Sequence, residues 1–416
     1  MSARYLGSLR CPRCGEEAPE VRASFGCPRC AREGIGVNLT PVYAINPGPL
    51  PWKASQSGIF GYRELLPLAP EDAPVTLGEG QTPVIPLNRL GPRLGLRRLM
   101  LKDESRNPTW SFKDRLAAAA VTKAAASGAS TVVVSSTGNH GAAVAAYAAA
   151  AGLRCVVLTL SSIPREMSIL IRGYGACLVA YEKGPDRWSV LRQAVEAFGW
   201  TAISGAVTPP IGSNPFGVEG YKTIAYELWG QLGEAPDVVV VPTAYGDALS
   251  GIRRGFADLI GLGLTTRMPR LVAVDPFGAY AQGLQAPPGR QPTVPTRQSL
   301  AFSVAARVAT YQGVEAIRAT NGTAVAEPSD DAIVRMQLEL ASGEGIYAEG
   351  ASVLAVLAAR QLASRRWIDA DESVVLLSTS TGLKDPGSTA GHLPELPVLA
   401  PTLTALEAAL PAGMCP

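Results

Sequence analysis

The chain has 416 residues, 47% apolar and 17% charged, the composition of a well-buried globular protein rather than a disordered one. Its 37 Lys and Arg against 35 Asp and Glu leave a formal charge of +2, too little for the broad basic face that nucleic acid requires. With no spanning run of about 18 uncharged apolar residues and no signal-peptide core, we expect a cytoplasmic protein with no membrane or nucleic-acid partner. The length predicts two major domains plus a short extra module.

The short module comes first. Cys11-x2-Cys14 and Cys27-x2-Cys30, separated by twelve residues, both read Cys-Pro-Arg-Cys. Two such knuckles can close a tetrahedral thiolate site for zinc, and four thiolates leave no open coordination position, so the metal is expected to be structural. Two disulfides or plain reduced thiols are the alternatives, the disulfides being disfavoured in a cytosolic chain. A partner or nucleic-acid ribbon is a further alternative, with only a handful of flanking arginines behind it. Cys155, Cys177 and Cys415 are expected to be inert.

Next, Leu77-Gly78-Glu79-Gly80-Gln81-Thr82-Pro83 leads towards Asn107-Pro108-Thr109-Trp110-Ser111-Phe112-Lys113-Asp114-Arg115. Lys113 stands at a loop-to-helix junction, ahead of an alanine-rich helix expected over 116–126. The positive end of that helix disfavours a charged amine, and a neutral amine is what a Schiff-base lysine needs. A surface lysine opening an ordinary helix is the competing reading. The apolar strand beginning at Val132 ends in a polar turn at 135–141, followed by an alanine helix to residue 151 that reads as core.

Strands at 154–160 and 176–181 then alternate with helices at 165–174 and 187–198, and a Pro/Gly-rich loop at 208–217 leads to a helix at 219–229. The run Val238-Val239-Val240-Val241 repeats the strand–turn–helix design, with the turn at 242–248. A strand at 271–274, a surface loop at 286–296, helices at 330–342 and 350–363 and a strand at 373–378 complete a doubly wound α/β pattern. Each of the two small-residue turns aims unpaired backbone N–H groups at one spot. Together with Lys113 they point to a phosphorylated aldehyde cofactor and a carboxylate-bearing substrate.

Taken in order over roughly residues 75–386, these segments resemble the motifs of pyridoxal-phosphate enzymes of the tryptophan-synthase-β fold type, nearest the threonine synthase family. Residues 107–115 resemble that family's N-P-T-G-S-F-K-D-R, Leu77 to Pro83 its L-G-E-G-x-T-P, the 135–141 turn its S-T-G-N, and 377–386 its L-T-G-x-G-L-K-D. The resemblance implies fold type II, with two doubly wound open-sheet domains. The larger, cofactor-binding domain is expected from 41–122 and 223–416 and the smaller, inserted α/β domain from 123–222, after a zinc-ribbon-like module at 1–40. Pyridoxal 5'-phosphate is expected in the cleft and a homodimer as the assembly.

The resemblance also implies roles. Lys113 forms the Schiff base and then moves the proton; Phe112 packs beside the ring, unless it is ordinary core. Asn139 bonds the phenolic oxygen, while Ala244, Tyr245, Gly246, Asp247 and Ala248 cradle the phosphate. Ser136, Thr137, Gly138 and His140 hold the substrate carboxylate. Thr379 faces the pyridine nitrogen, and its neutral hydroxyl makes a weaker electron sink than a carboxylate, suited to elimination and replacement.

There are departures. Trp110 stands where the family has glycine, adding bulk expected near the lysine, and His140 where it often has threonine. The phosphate turn reads Ala-Tyr-Gly-Asp-Ala instead of a Gly/Asn-rich form, with Asp247 expected to cap its own helix. In Asn214-Pro215-Phe216-Gly217-Val218-Glu219-Gly220-Tyr221-Lys222-Thr223, Gly217 stands where the family's arginine grips a substrate phosphate. The expected function is conversion of O-phosphohomoserine to threonine. The alternatives are a serine/threonine ammonia-lyase, a β-replacement synthase, or a non-catalytic cofactor-binding homologue. The 217–223 segment is only a near miss for a P-loop, and two histidines leave few ways to build a Ser-His hydrolase.

Overall fold

The computed structural model describes residues 3–327 and 329–410; Cys415 lies outside them. Two largely parallel sheets organise the chain. The Val-rich runs Thr131–Ser135 and Val238–Pro242 carry no polar alternation and become interior strands covered on both faces, as a continuous apolar run requires.

The larger sheet has six strands, in the order Thr323–Ala326, Arg270–Asp275, Val238–Pro242, Ser373–Ser378, Arg98–Asp103 and Val84–Pro86. All neighbours are parallel except the last pair. The smaller sheet has four parallel strands, Cys177–Tyr181, Arg154–Leu160, Thr131–Ser135 and Thr201–Ala202. This is the expected doubly wound α/β class. A third sheet, antiparallel, joins Glu17–Ala18, Ala3–Arg10 and Thr40–Ile45 around the cysteine pairs.

The strand order breaks between 238–242 and 373–378 in the larger sheet, and between 131–135 and 201–202 in the smaller. Ligands in open α/β sheets bind beyond the carboxyl ends of strands at such breaks. The two turns singled out in the sequence leave from these strands.

Several boundaries differ from the sequence expectation. The alanine-rich helix starts at Lys113 itself and runs Lys113–Ala126. The helix Gly184–Phe198 starts three residues earlier than expected, with Pro185 seated in its first turn. The helix expected over 219–229 is broken into Pro215–Val218, a 3-10 turn Glu219–Tyr221 and Lys222–Leu232. The short strands at 84–86 and 323–326 carry too few residues to announce themselves.

Beneath the Lys113 helix lies a buried ion cluster. The Arg115 guanidinium pairs with both oxygens of Glu104, at 2.7 and 2.8 Å, and both oxygens of Glu227, at 2.6 and 2.7 Å. Lys102 Nζ adds a 2.7 Å contact to Glu227. These side chains are 0–1% exposed, so the first turn of the helix is tied by charge to the end of the strand Arg98–Asp103 and to the helix Lys222–Leu232. No helix among the described residues is long and apolar enough to cross a membrane.

Candidate active site

A cavity of about 630 Å³ opens at the carboxyl ends of both sheets, where their strand orders break. Its walls bring together every cofactor- and substrate-site residue expected from the sequence: Phe112 and Lys113, residues 136–140, residues 244–248 and Thr379.

Lys113 enters from the first position of its helix. Burial pushes its amine pKa down, against the opposing pull of the Asp247 and Glu349 carboxylates. No hydrogen bond holds Nζ among the described residues; it lies 4.6 Å from the Phe112 ring centroid and 5.6 Å from that of Tyr221. Phe112 N–H donates to the Thr379 carbonyl at 3.0 Å, which fixes the lysine loop against the C-terminal strand.

On the opposite side, Gly246 takes φ +70°, a left-handed conformation that suits glycine. A Cβ there would stand 2.5 Å from Gly313 Cα. The Ala244 carbonyl accepts from Tyr280 Oη and that of Tyr245 from Thr310 Oγ1. With these carbonyls engaged and the 15-residue helix Asp247–Gly261 beginning at once, the turn offers N–H groups to the cavity. Asp247 does not cap its helix as expected. Its carboxylate accepts from Ser213 N–H and Oγ, at 3.2 and 2.8 Å, and from Gln312 Nε2, because Ser213 and Gln312 are packed over the turn. Burial raises its pKa, with Lys113 opposing.

Asn139 opens the helix Asn139–Ala150, and both ends of its amide are engaged. Oδ1 accepts from Lys384 Nζ at 2.7 Å, and Nδ2 donates to Glu349 Oε2 at 2.8 Å, leaving one N–H free. Ser136 Oγ accepts from Gly138 and Gly141 N–H, so it shapes the turn as well as lining the cavity. His140 Nε2 is buried with no partner, and burial, reinforced by Lys113, holds the imidazole neutral. Thr379 Oγ1 lies 2.9 Å from Ser352 Oγ, which accepts from the N–H groups of Thr379 and Ser380.

Ser352, Glu349 and Lys384 were missed as site residues. Lys384 lies within the 377–386 motif, which was the one available signal. Ser352 and Glu349 sit at the start of an ordinary-looking helix.

Two departures resolve differently from expectation. Trp110 has φ +59°, the conformation for which glycine is suited, but its side chain is 47% exposed and outside the cavity wall, so it adds no bulk beside the lysine. Gly217 is buried and also outside that wall; a Cβ there would meet Leu116 Cγ at 2.9 Å and Ala120 Cβ at 3.0 Å.

In the N-terminal sheet, Cys11 and Cys30 Sγ lie 3.7 Å apart and Cys14 and Cys27 Sγ 3.6 Å apart, too far for disulfides. All four sulfurs fall within 4.8 Å of one another and can hold a metal ion. This module grips the cleft loop: Ser24 accepts from Ala206 N–H and donates to the Ala202 carbonyl, and Asn38 Nδ2 donates to the Ser213 carbonyl. Of the remaining cysteines, Cys155 is buried, which pushes its thiol up to about 12, whereas Cys177 is exposed.

The model of the family described as pyridoxal-phosphate dependent enzyme matches residues 75–380. A threonine synthase of Methanocaldococcus jannaschii is 32% identical over 79% of this chain and 81% of its own length. One of Halalkalibacterium halodurans is 32% identical over 82% and 93%. Among solved structures, the Escherichia coli diaminopropionate ammonia lyase superposes with a TM-score of 0.64 at 20% identity, over 76% of this chain and 88% of that one. An O-ureido-L-serine synthase superposes with a TM-score of 0.60 at 23% identity, over 76% and 93%. At that identity the structural likeness speaks for the fold alone. The length and level of the sequence matches go further: this chain belongs to the pyridoxal-phosphate dependent enzymes, among their threonine synthase-like members.

Proposed function

We propose that the chain removes the α-proton of a small amino acid and drives elimination and replacement further along it, with O-phosphohomoserine to threonine as the leading reaction. In that reaction the Cα–H bond and one Cβ–H bond break, the Cγ–O bond breaks to release phosphate, water adds its hydroxyl at Cβ, and protons are placed on Cα and Cγ. The observation that carries the reading is Lys113: a half-buried amine with a lowered pKa and no hydrogen bond among the described residues, in the wall of one cavity with the 243–248 turn, Asn139 and Thr379. The threonine synthase relatives support the choice of substrate.

The residues fit pyridoxal phosphate. The Gly246 turn has N–H groups for a phosphate, Asn139 keeps one N–H for an oxygen, and Thr379 presents a hydroxyl. Bound there, the cofactor supplies the electron sink that makes the α-proton removable. Lys113 would hold it and then carry that proton on Nζ. Residues 136–138 and neutral His140 would orient the substrate carboxylate. The absence of room at Gly217 for an arginine favours, as a second reading, a lyase or β-replacement enzyme acting on a non-phosphorylated substrate.

The test is the absorbance of wild type and Lys113→Ala with added pyridoxal phosphate, followed by candidate amino acids. We expect a near-visible band lost in the variant, and a spectral change with O-phosphohomoserine. A response only to serine, threonine or other O-activated forms would select the second reading; a band without turnover would mark a non-catalytic homologue. A wild type that stays colourless with added cofactor would refute the enzyme reading.

The same reading includes structural zinc on Cys11, Cys14, Cys27 and Cys30. A tetrahedron with bonds of about 2.3 Å sets sulfurs roughly 3.8 Å apart, close to the 3.6 and 3.7 Å observed. It also includes a homodimer and the domain division at 40, 122 and 222. Elemental analysis, light scattering and limited proteolysis test these in turn.

A further inference from the structure

The missing arginine at 217 leaves a question of charge, and the cavity holds an answer from another element. Arg187 lies in the first turn of the helix Gly184–Phe198, on the smaller sheet, and lines the same cavity as Lys113. The residue is only 8% exposed. Its Nη1 is buried with no hydrogen-bond partner, and its Nε reaches only the Gly184 carbonyl, at 3.4 Å. The guanidinium sits 5.9 Å from the Trp188 ring centroid, and the Trp188 ring packs edge-on against Tyr245 at 6.4 Å. Among the described residues no carboxylate pairs with it. Burial pulls its pKa down, with only Tyr245 opposing.

A buried guanidinium without a counter-charge is costly, and the cost is relieved when an anion arrives. In this respect it differs from the buried Arg115, which has two carboxylates. Arg297 also lines the cavity but is exposed and not free.

We propose that Arg187 receives the distal phosphoryl group of the amino-acid substrate, serving from the smaller sheet where residue 217 has no space. The proposal rests on the function given above. Under that function the cofactor's phosphate has its own receptor in the N–H groups of the 243–248 turn and the helix behind it, which leaves the guanidinium for a second anion. Arg187 comes from the same sheet as the 136–140 turn. A substrate whose carboxylate lies on that turn can therefore present its far end to the guanidinium, whose planar fork suits two oxygens of a tetrahedral phosphoryl group.

The probe is 2-amino-5-phosphonopentanoate, which has the length and distal charge of O-phosphohomoserine but cannot react, with norvaline as its neutral counterpart. Binding to the cofactor-loaded protein is followed by calorimetry and by cofactor absorbance. We expect wild type to prefer the phosphonate. Arg187→Gln should lose about 10- to 100-fold of that affinity while norvaline binding is unchanged, and Arg187→Lys, which keeps the charge without the fork, should fall between.

Equal losses for both ligands, or no loss, would overturn the proposal. So would weakened cofactor binding in Arg187→Gln, because it would give the guanidinium to the cofactor's phosphate. A wild type without a cofactor band refutes the broader function. The role of Arg187 is still read from the calorimetric preference for phosphonate over norvaline, and falls if that preference is absent.

Discussion

Replacing Arg115 by methionine tests whether the buried ion cluster holds the Lys113 helix in place. The substitution keeps most of the volume but removes four charge-assisted contacts of 2.6–2.8 Å, and leaves Glu104 and Glu227 facing Lys102 alone. Two carboxylates against one ammonium leave one buried charge uncompensated, a loss of about 3–5 kcal/mol, a large share of the roughly 5–15 kcal/mol that holds a domain folded. Urea unfolding at pH 7, followed by circular dichroism and tryptophan fluorescence, measures it.

The double variant Arg115→Met/Glu104→Gln restores neutrality while keeping the Lys102–Glu227 pair, and should recover much of the loss. The reasoning is refuted if the double variant is no more stable than the single one, since the cost would then lie in packing. The pH dependence gives a second reading. Burial acts to raise the Glu227 pKa, but Arg115 and Lys102 overcome it and bring it to about 2. A folded pKa below the unfolded one means that this stabilisation is complete above the ordinary carboxylate range and is lost as pH falls towards 2.

Two further outcomes are expected. Burial lowers the Lys384 pKa to about 8, with Glu349 and Asp114 opposing. The folded pKa is thus below the unfolded value of about 10.4, so wild type should lose stability relative to Lys384→Met as pH falls from 10 to 8, and unfolding curves at both values that give one constant difference would sink the idea. Stripping metal from the four cysteines, or Cys14→Ser, should speed hydrogen exchange across 202–213, because Ser24 and Asn38 bond that loop directly; exchange unchanged in metal-free protein would mean that the ribbon does not support the cleft.

Much of the fold was legible because its parts are local. The run of four valines at 238–241 announces a buried strand, the alanine-rich stretch after Lys113 a helix, and a small-residue turn between such elements a wall of the cavity at the carboxyl end of the sheet. The site was legible only where it is built from those turns. Glu349 meets Asn139 from 210 positions away, and Lys384 from 245. No local pattern marks such partners, since their contact depends on how the two sheets pack. Arg187 was hidden for the same reason: in sequence it opens an amphipathic helix, and only the fold turns it into the cavity. Trp110 shows the converse error, where side-chain size suggested crowding but the positive φ of its backbone sends the ring to solvent.

Ser352 connects this packing to the chemistry. Its oxygen accepts from two backbone N–H groups at 3.0 Å, which uses both lone pairs, so towards Thr379 Oγ1, at 2.9 Å, it can act only as the donor. Its alternative acceptor, the Ser380 carbonyl, is farther, at 3.2 Å. With Thr379 Oγ1 accepting from Ser352, the hydrogen of Thr379 is left for an acceptor in the cavity. A pyridine nitrogen that receives a hydrogen bond from a neutral hydroxyl stays unprotonated, and the ring draws electrons less strongly than a pyridinium would. A weaker sink leaves more of the work to the proton carrier, and a lysine whose pKa burial has lowered is suited to that work. Under the proposed function the two features would suit elimination and replacement rather than transamination, with Ser352, from the helix Gly350–Ser364, orienting the Thr379 hydroxyl.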